Sequence, residues 1–128
     1  MSANLQKERM RRALRIVDDW PNHLRQEAAQ RAKGLPVELR TQGLVVTVTT
    51  LMNGSHGHLA NDLARWVLDE APHKPLSAWT GGENRSPARR LLQACLEADR
   101  AAFLAAQTEA LALAEHIKRF ATPFAKEA

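Results

Sequence analysis

Five histidines and one cysteine are the side chains of this 128-residue chain best suited to hold a metal or serve as a nucleophile. His56-Gly57-His58 sets two imidazoles two residues apart, within a stretch (Asn53-Gly54-Ser55-His56-Gly57) whose turn chemistry makes it a loop. A zinc site takes about four nitrogen or sulfur ligands at recognisable spacing. The chain has no Cys-x-x-Cys and no His-x-x-x-His pair, and His73 and Cys95 lie elsewhere. The histidines therefore read as solvated loop residues, and no metal is expected. Cys95 repeats the apolar face of its helix and reads as a buried, inert thiol. Asp18-Asp19 and Asp69-Glu70 fall near helix ends on polar faces, where water or neighbouring arginines hold them; general acid–base catalysis needs a dry pocket instead. Gly81-Gly82 is followed by no Gly-Lys-Ser/Thr and cannot be a phosphate-cradling loop. Trp79, in the same connection, either anchors that loop or belongs to an interface. No convincing catalytic set emerges.

The basic residues carry the clearer signal. Net charge is +4, and its distribution is uneven. Residues 1–50 hold nine Lys/Arg against five Asp/Glu, whereas the two kinds balance in 51–100 and again in 101–128. Arg9, Arg11, Arg12 and Arg15 project from one helix, with Lys33 and Arg40 on the next. Arg85, Arg89 and Arg90 flank the start of another, where helix N-terminal amides also favour phosphate. Three such clusters point to a polyanion held through its phosphate backbone without sequence reading. Aromatics are 5% of the chain and do not interleave with the arginines, so base stacking is not expected.

Helices must position these residues. Alanine and leucine abound and tyrosine is absent, a composition that favours helix over sheet. Met10, Ala13, Leu14, Val17 and Trp20 predict a helix over 4–19 that Pro21 ends. Leu24, Ala28, Ala32, Leu35 and Leu39 predict a second, with Glu27 and Arg31 as an i,i+4 pair, a kink or split after Lys33-Gly34 caused by Pro36, and a stop at Gly43. Residues 44–51 are rich in β-branched side chains, and propensity alone says strand. Leu44, Val48, Leu51 and Met52 also keep helical spacing, and a lone strand has nothing to pair with, so a short helix is expected. Leu59, Leu63, Trp66 and Val67 define a helix ending near Glu70, and 71–85 reads as a long exposed connection. Ser86-Pro87 starts a helix that turns Leu91, Leu92, Cys95 and Leu96 inward. Asp99 restarts the chain into a last helix with Phe103, Ala106, Ala110, Leu113, Ile117 and Phe120 on one side, ended by Thr122-Pro123. Glu109 and Glu115 lie toward its start and Lys118 and Arg119 at its end, as the helix dipole prefers. The expectation is an all-α, compact single domain over 1–128, a bundle of about six helices. No apolar run spans a membrane, no signal peptide is evident, and a single cysteine suits a reducing compartment, so a cytoplasmic protein is expected.

Three segments resemble the small helical subunit of type III-B (Cmr) CRISPR RNA-guided effector complexes. Lys33-Gly34-Leu35-Pro36 followed by Arg40-Thr41-Gln42-Gly43-Leu44 is similar to the family's Lys-x-Leu-Pro … Asn-Gly-Leu pattern, with Gln42 in place of asparagine. Thr108-Glu109-Ala110-Leu111 … Ile117-Lys118-Arg119-Phe120-Ala121 is similar to its Thr-x-Glu-Ala-Leu … Trp-Leu-Lys-Arg-Phe-Ala ending, with His116 where tryptophan is common. The basic N-terminal helix, with its Glu8-Arg9 start, is the third. The resemblance implies a non-catalytic filament subunit without cofactor. It would stack on copies of itself and on other effector subunits, with basic faces lining the channel for guide and target RNA in antiviral defence. It makes Arg11, Arg12, Arg15, Lys33 and Arg40 the RNA-facing candidates, with Arg85, Arg89, Arg90, Lys118 and Arg119 behind them. Other readings remain open: a free-standing helical adaptor binding only protein, a DNA-binding regulator, or a metal-dependent hydrolase built on His56 and His58. The regulator needs a polar recognition helix, and the Arg40–Met52 region has the turn but an apolar second helix.

Overall fold

Every secondary-structure element among the described residues is helical, and the order follows the apolar periodicity of the chain. The structure, a computed structural model, describes residues 2–76 and 84–125. Trp79 and Gly81-Gly82 lie outside them. Helix α1 (Ser2–Asp19) ends at Pro21, and Arg25 donates to the carbonyls of Asp18 and Trp20 that the break leaves free. Its buried side is Ala13, Ile16, Val17 and Trp20. Met10 and Leu14, expected on that side, are substantially exposed, because the covering helix lies against the neighbouring strip of the surface.

Pro36 splits the second helix as expected. It has no amide to continue the ladder, so α2 (Asn22–Lys33) stops at Gly34 and α3 (Leu35–Gln42) begins. The break brings Glu38 beside Arg31, which donates to it twice at 2.7 and 3.0 Å. This bidentate, half-buried pair takes the place of the expected Glu27–Arg31 pair, since two charge-assisted bonds away from bulk water outweigh one solvated contact.

Gly43 stops α3 with φ of 88°, a backbone conformation that side chains resist. A Cβ there would also meet the Gln107 side-chain oxygen at 3.2 Å. That same oxygen accepts from the Leu44 amide at 2.9 Å and caps α4 (Leu44–Asn53). The β-branched segment is therefore a helix. Leu44, Thr47, Val48 and Leu51 bury one face, and the Thr49 and Thr50 hydroxyls donate to the carbonyls one turn back. Burial and capping override local β-propensity.

Helix α5 (Gly57–Arg65) runs into a π-helical turn, Trp66–Glu70, closed by the Ala71 amide on the Trp66 carbonyl at 2.7 Å. The connection beyond is not uniformly exposed, since Ala71 and Leu76 are buried. In α6 (Pro87–Glu97) the inward face is Ala88, Leu91, Ala94 and Cys95; Leu96, expected there, is 75% exposed because it lies one step round from Cys95. Asp99 caps the last helix, α7 (Arg100–Ala125), by accepting from the Ala102 amide. Contrary to expectation, α7 passes through Pro123. Contacts from α2 hold its last turn: Gln30 donates to the Ala125 carbonyl and the Arg25 guanidinium stacks over Phe124.

Helices α1, α2 and α3 pack around α7, and α4 and α6 pack with α5. One apolar cluster runs through both groups, from Ala13 and Ile16 to Leu113 and Ile117. Among the described residues, splitting the second helix makes seven α-helices of the six expected. No helix of the described residues is long and apolar enough to cross a membrane.

Candidate nucleic-acid interface

The π-helical turn fixes two of the ten expected RNA-facing residues in place. Its Glu70 accepts from Arg12 of α1 at 2.6 Å, and its Asp69 accepts from Arg90 of α6 at 3.3 Å. Arg12 is 14% exposed and also approaches Asp62 of α5 at 4.0 Å. Its guanidinium serves as an internal tie between α1 and the α5 end rather than as a free surface cation. The adjacent carboxylates that the sequence assigns to solvent or arginines thus take arginines from two different helices.

Sequence reasoning missed the neighbouring centre altogether. Glu109 of α7 is 1% exposed, and four nitrogens converge on its carboxylate. Arg9 donates twice at 2.7 Å, the Trp66 indole donates at 2.8 Å, and the His73 ring lies at 3.2 Å. Burial alone pushes the Glu109 carboxyl up, but the hydrogen bonds from Arg9 and Trp66, with the charges of Arg9 and His73, hold it below the usual range. The same bond raises Arg9. Glu109 therefore does not decorate the start of a helix: α7 begins at Arg100, and Glu109 lies in its interior on the packed face. The signal was present in the spacing, since Ala106, Glu109 and Leu113 share the apolar side.

The cations that remain divide by what they touch. Among the described residues Arg15, Lys33, Arg85, Arg89 and Lys118 are exposed and have no ion-pair partner. Arg11 pairs with Glu8 one turn away at 2.8 Å, with both partners well exposed. Arg40 of α3 pairs with Glu115 of α7, again at the surface. Exposed pairs of this kind contribute only about 0–1 kcal/mol and exchange readily for a phosphate. Arg40, Lys118 and Arg119 line one open cleft of about 340 Å³ between α3 and α7, together with Pro36, Glu115 and Thr122. Here the two motifs of the resemblance, around Pro36 and around Lys118-Arg119, meet in space. Arg119 also reaches the His116 ring at 3.4 Å. Burial, then the charges of Arg119 and Arg9, lowers His116, so its ring is neutral at pH 7 and fills a core position.

The α6 start differs from expectation in one respect. Its amides are already occupied: Asn61 accepts from Ala88, the Ser86 hydroxyl from Arg89 and the Ser86 carbonyl from Arg90. Any phosphate there would meet the Arg85 and Arg89 side chains rather than the helix terminus. Cys95 is buried, and burial pushes its thiol up to about 11, which keeps it protonated and unreactive. His56 and His58 face each other with ring nitrogens 3.3 Å apart.

A family model described as CRISPR-associated protein (Cas_Cmr5) matches residues 5–124, nearly all of the chain. No curated protein and no solved structure matches.

Proposed function

The chain belongs to the CRISPR-associated Cmr small-subunit family, and we propose that it serves as the non-catalytic small subunit of a type III-B RNA-guided effector complex in antiviral defence. In this reading it stacks on copies of itself and on larger subunits in the cytoplasm, and contacts guide and target RNA through phosphates. The observation that carries the RNA contact is the α3–α7 cleft, where Arg40, Lys118 and Arg119 share one open surface. Arg15 and Lys33, exposed and unpaired among the described residues, extend the set of available cations. Arg85 and Arg89 form a second, smaller group at the α6 start. Arg11 can join by releasing Glu8, whereas Arg12 and Arg90 contribute by holding helices in position. The non-catalytic role is supported by how the reactive groups are used: the Glu109 carboxylate already accepts three hydrogen bonds from Arg9 and Trp66, and the Cys95 thiol is held protonated. A catalytic group needs the opposite, a poised pKa and an open approach.

The test is a tagged pull-down from the native host with bound proteins and RNAs both identified. Recovery of several larger subunits with short RNAs sharing one repeat-derived 5′ end is expected. Recovery of the protein alone, or with DNA and no such RNA, overturns the reading and leaves a helical binding module. Interactions that survive nuclease treatment without RNA favour a purely protein-binding adaptor.

A further inference from the structure

The α3–α7 cleft holds two kinds of polar group, and only one of them suits a phosphate. Arg40, Lys118 and Arg119 are donors without acceptor capacity, which fits the acceptor-only oxygens of a phosphodiester. Thr122, exposed on the same wall, is different. Its hydroxyl donates to the Lys118 carbonyl one turn back at 2.7 Å. With that proton engaged, Thr122 Oγ1 offers the cleft only lone pairs, which a phosphate oxygen cannot use. The Glu115 carboxylate beside it is likewise an acceptor. The cleft thus sets three donors for phosphate next to acceptors that need a donor. On a nucleic-acid backbone that donor is the ribose 2′-hydroxyl, which deoxyribose lacks. We propose that Thr122 accepts a hydrogen bond from a ribose 2′-hydroxyl and makes the cleft prefer RNA to DNA of the same sequence. The inference rests on the RNA contact proposed above and extends it from the phosphate to the sugar.

The placement of Thr122 supports this. It lies one helical turn beyond Lys118, about 6 Å along the axis, a separation that one sugar–phosphate unit spans. The cleft of about 340 Å³ is at the small end of ligand sites, roughly the size of one nucleotide. Gln30 and Arg25 hold α7 helical past Pro123, which keeps the Lys118 carbonyl in reach of the Thr122 hydroxyl. Thr41, Thr49 and Thr50 make the same bond to a carbonyl one turn back, so the bond alone is ordinary. What distinguishes Thr122 is the set of three cations that shares its cleft.

The test titrates the full-length protein with single-stranded oligouridylate and oligodeoxyuridylate of equal length at one fixed salt concentration. RNA is expected to bind about twofold to tenfold more tightly, the range of one hydrogen bond. A 2′-O-methyl strand, which keeps the ribose-like sugar but has no 2′ donor, should bind like DNA. Thr122→Val should lower RNA affinity to that of DNA and leave DNA unchanged, while Thr122→Ser should keep the preference. Equal affinity for the two strands, or a preference that survives Thr122→Val, overturns the proposal and leaves the phosphate contact standing. Binding of both strands that is indifferent to reversing Arg40, Lys118 and Arg119 overturns the cleft itself as the RNA site, and the sugar contact with it.

Discussion

Two arginine–glutamate contacts on α7, less than two turns apart in sequence, behave in opposite ways. Arg9–Glu109 is closed off, with the carboxylate 1% exposed and a tryptophan and a histidine completing its shell. Arg40–Glu115 lies in an open cleft with both partners about half exposed. The chemistry is the same and the surroundings decide its use. In the first contact, removing Arg9 strands a buried carboxylate, and removing Glu109 leaves a half-buried guanidinium and the Trp66 indole without their acceptor. In the second, water replaces whatever leaves, so the arginine is free to exchange its carboxylate for a phosphate. The comparison separates cations that hold the fold from cations that can serve a ligand, a distinction that net charge does not reveal.

Breaking the closed contact gives the largest effect. Glu109→Ala leaves the Arg9 guanidinium and the Trp66 indole without their acceptor, and should destabilise the protein by about 3–5 kcal/mol in urea unfolding. A loss below about 1 kcal/mol would place Glu109 with the surface pairs. The same carboxylate sets an acid limit. Its folded pKa is depressed, so its stabilisation is present above its unfolded value near 4.5 and is lost as pH falls through the folded pKa.

A second, half-buried carboxylate sharpens the contrast. Asp62 has only a 4.0 Å approach from Arg12 and a 3.4 Å contact with Arg65. Burial outweighs these charges and pushes it up to about 6. Because that pKa is raised, the folded state binds the proton more tightly. Stability should therefore decline as pH rises from about 4 through 6, by about 1–3 kcal/mol, and Asp62→Asn should remove this slope. A flat profile in the parent protein would show that Arg12 and Arg65 compensate fully.

The open cleft should respond in binding rather than in folding. Reversing Arg40, Lys118 and Arg119 to glutamate should weaken RNA affinity by roughly tenfold, equivalent to about 1.4 kcal/mol, and flatten its salt dependence. Unchanged filter binding across a salt series would remove this face from the RNA path. The smallest effect belongs to Glu115→Gln. Stability should move by less than about 1 kcal/mol, while RNA binding tightens slightly because Arg40 is released. Weaker binding would instead make Glu115 an organiser of the cleft.

Much of this was legible before the chain was folded. The helix boundaries at Pro21, Gly34, Gly43 and Ser86-Pro87 follow from local chemistry: a missing amide, a positive φ and an N-cap hydroxyl act within a few residues. Periodicity chose the buried faces of α5 and of most of α7. It misplaced Met10, Leu14 and Leu96 because an apolar stripe only approximates the strip that a neighbouring helix covers. Pro123 was read as a stop because its local effect is destabilising, and the contacts from Arg25 and Gln30 that carry α7 past it come from almost a hundred residues away.

The sequence by itself determined an all-α protein, its family, and an excess of positive charge in the first half, because propensity, spacing and motif order are properties of neighbours along the chain. The tertiary structure decided which charges are available. Arg9, Arg12 and Arg15 follow one another on a single helix, yet one meets a buried carboxylate, one a π-helical turn and one only solvent. Desolvation and pairing depend on what packs across from a side chain, and that partner is set by the meeting of distant segments rather than by local spacing.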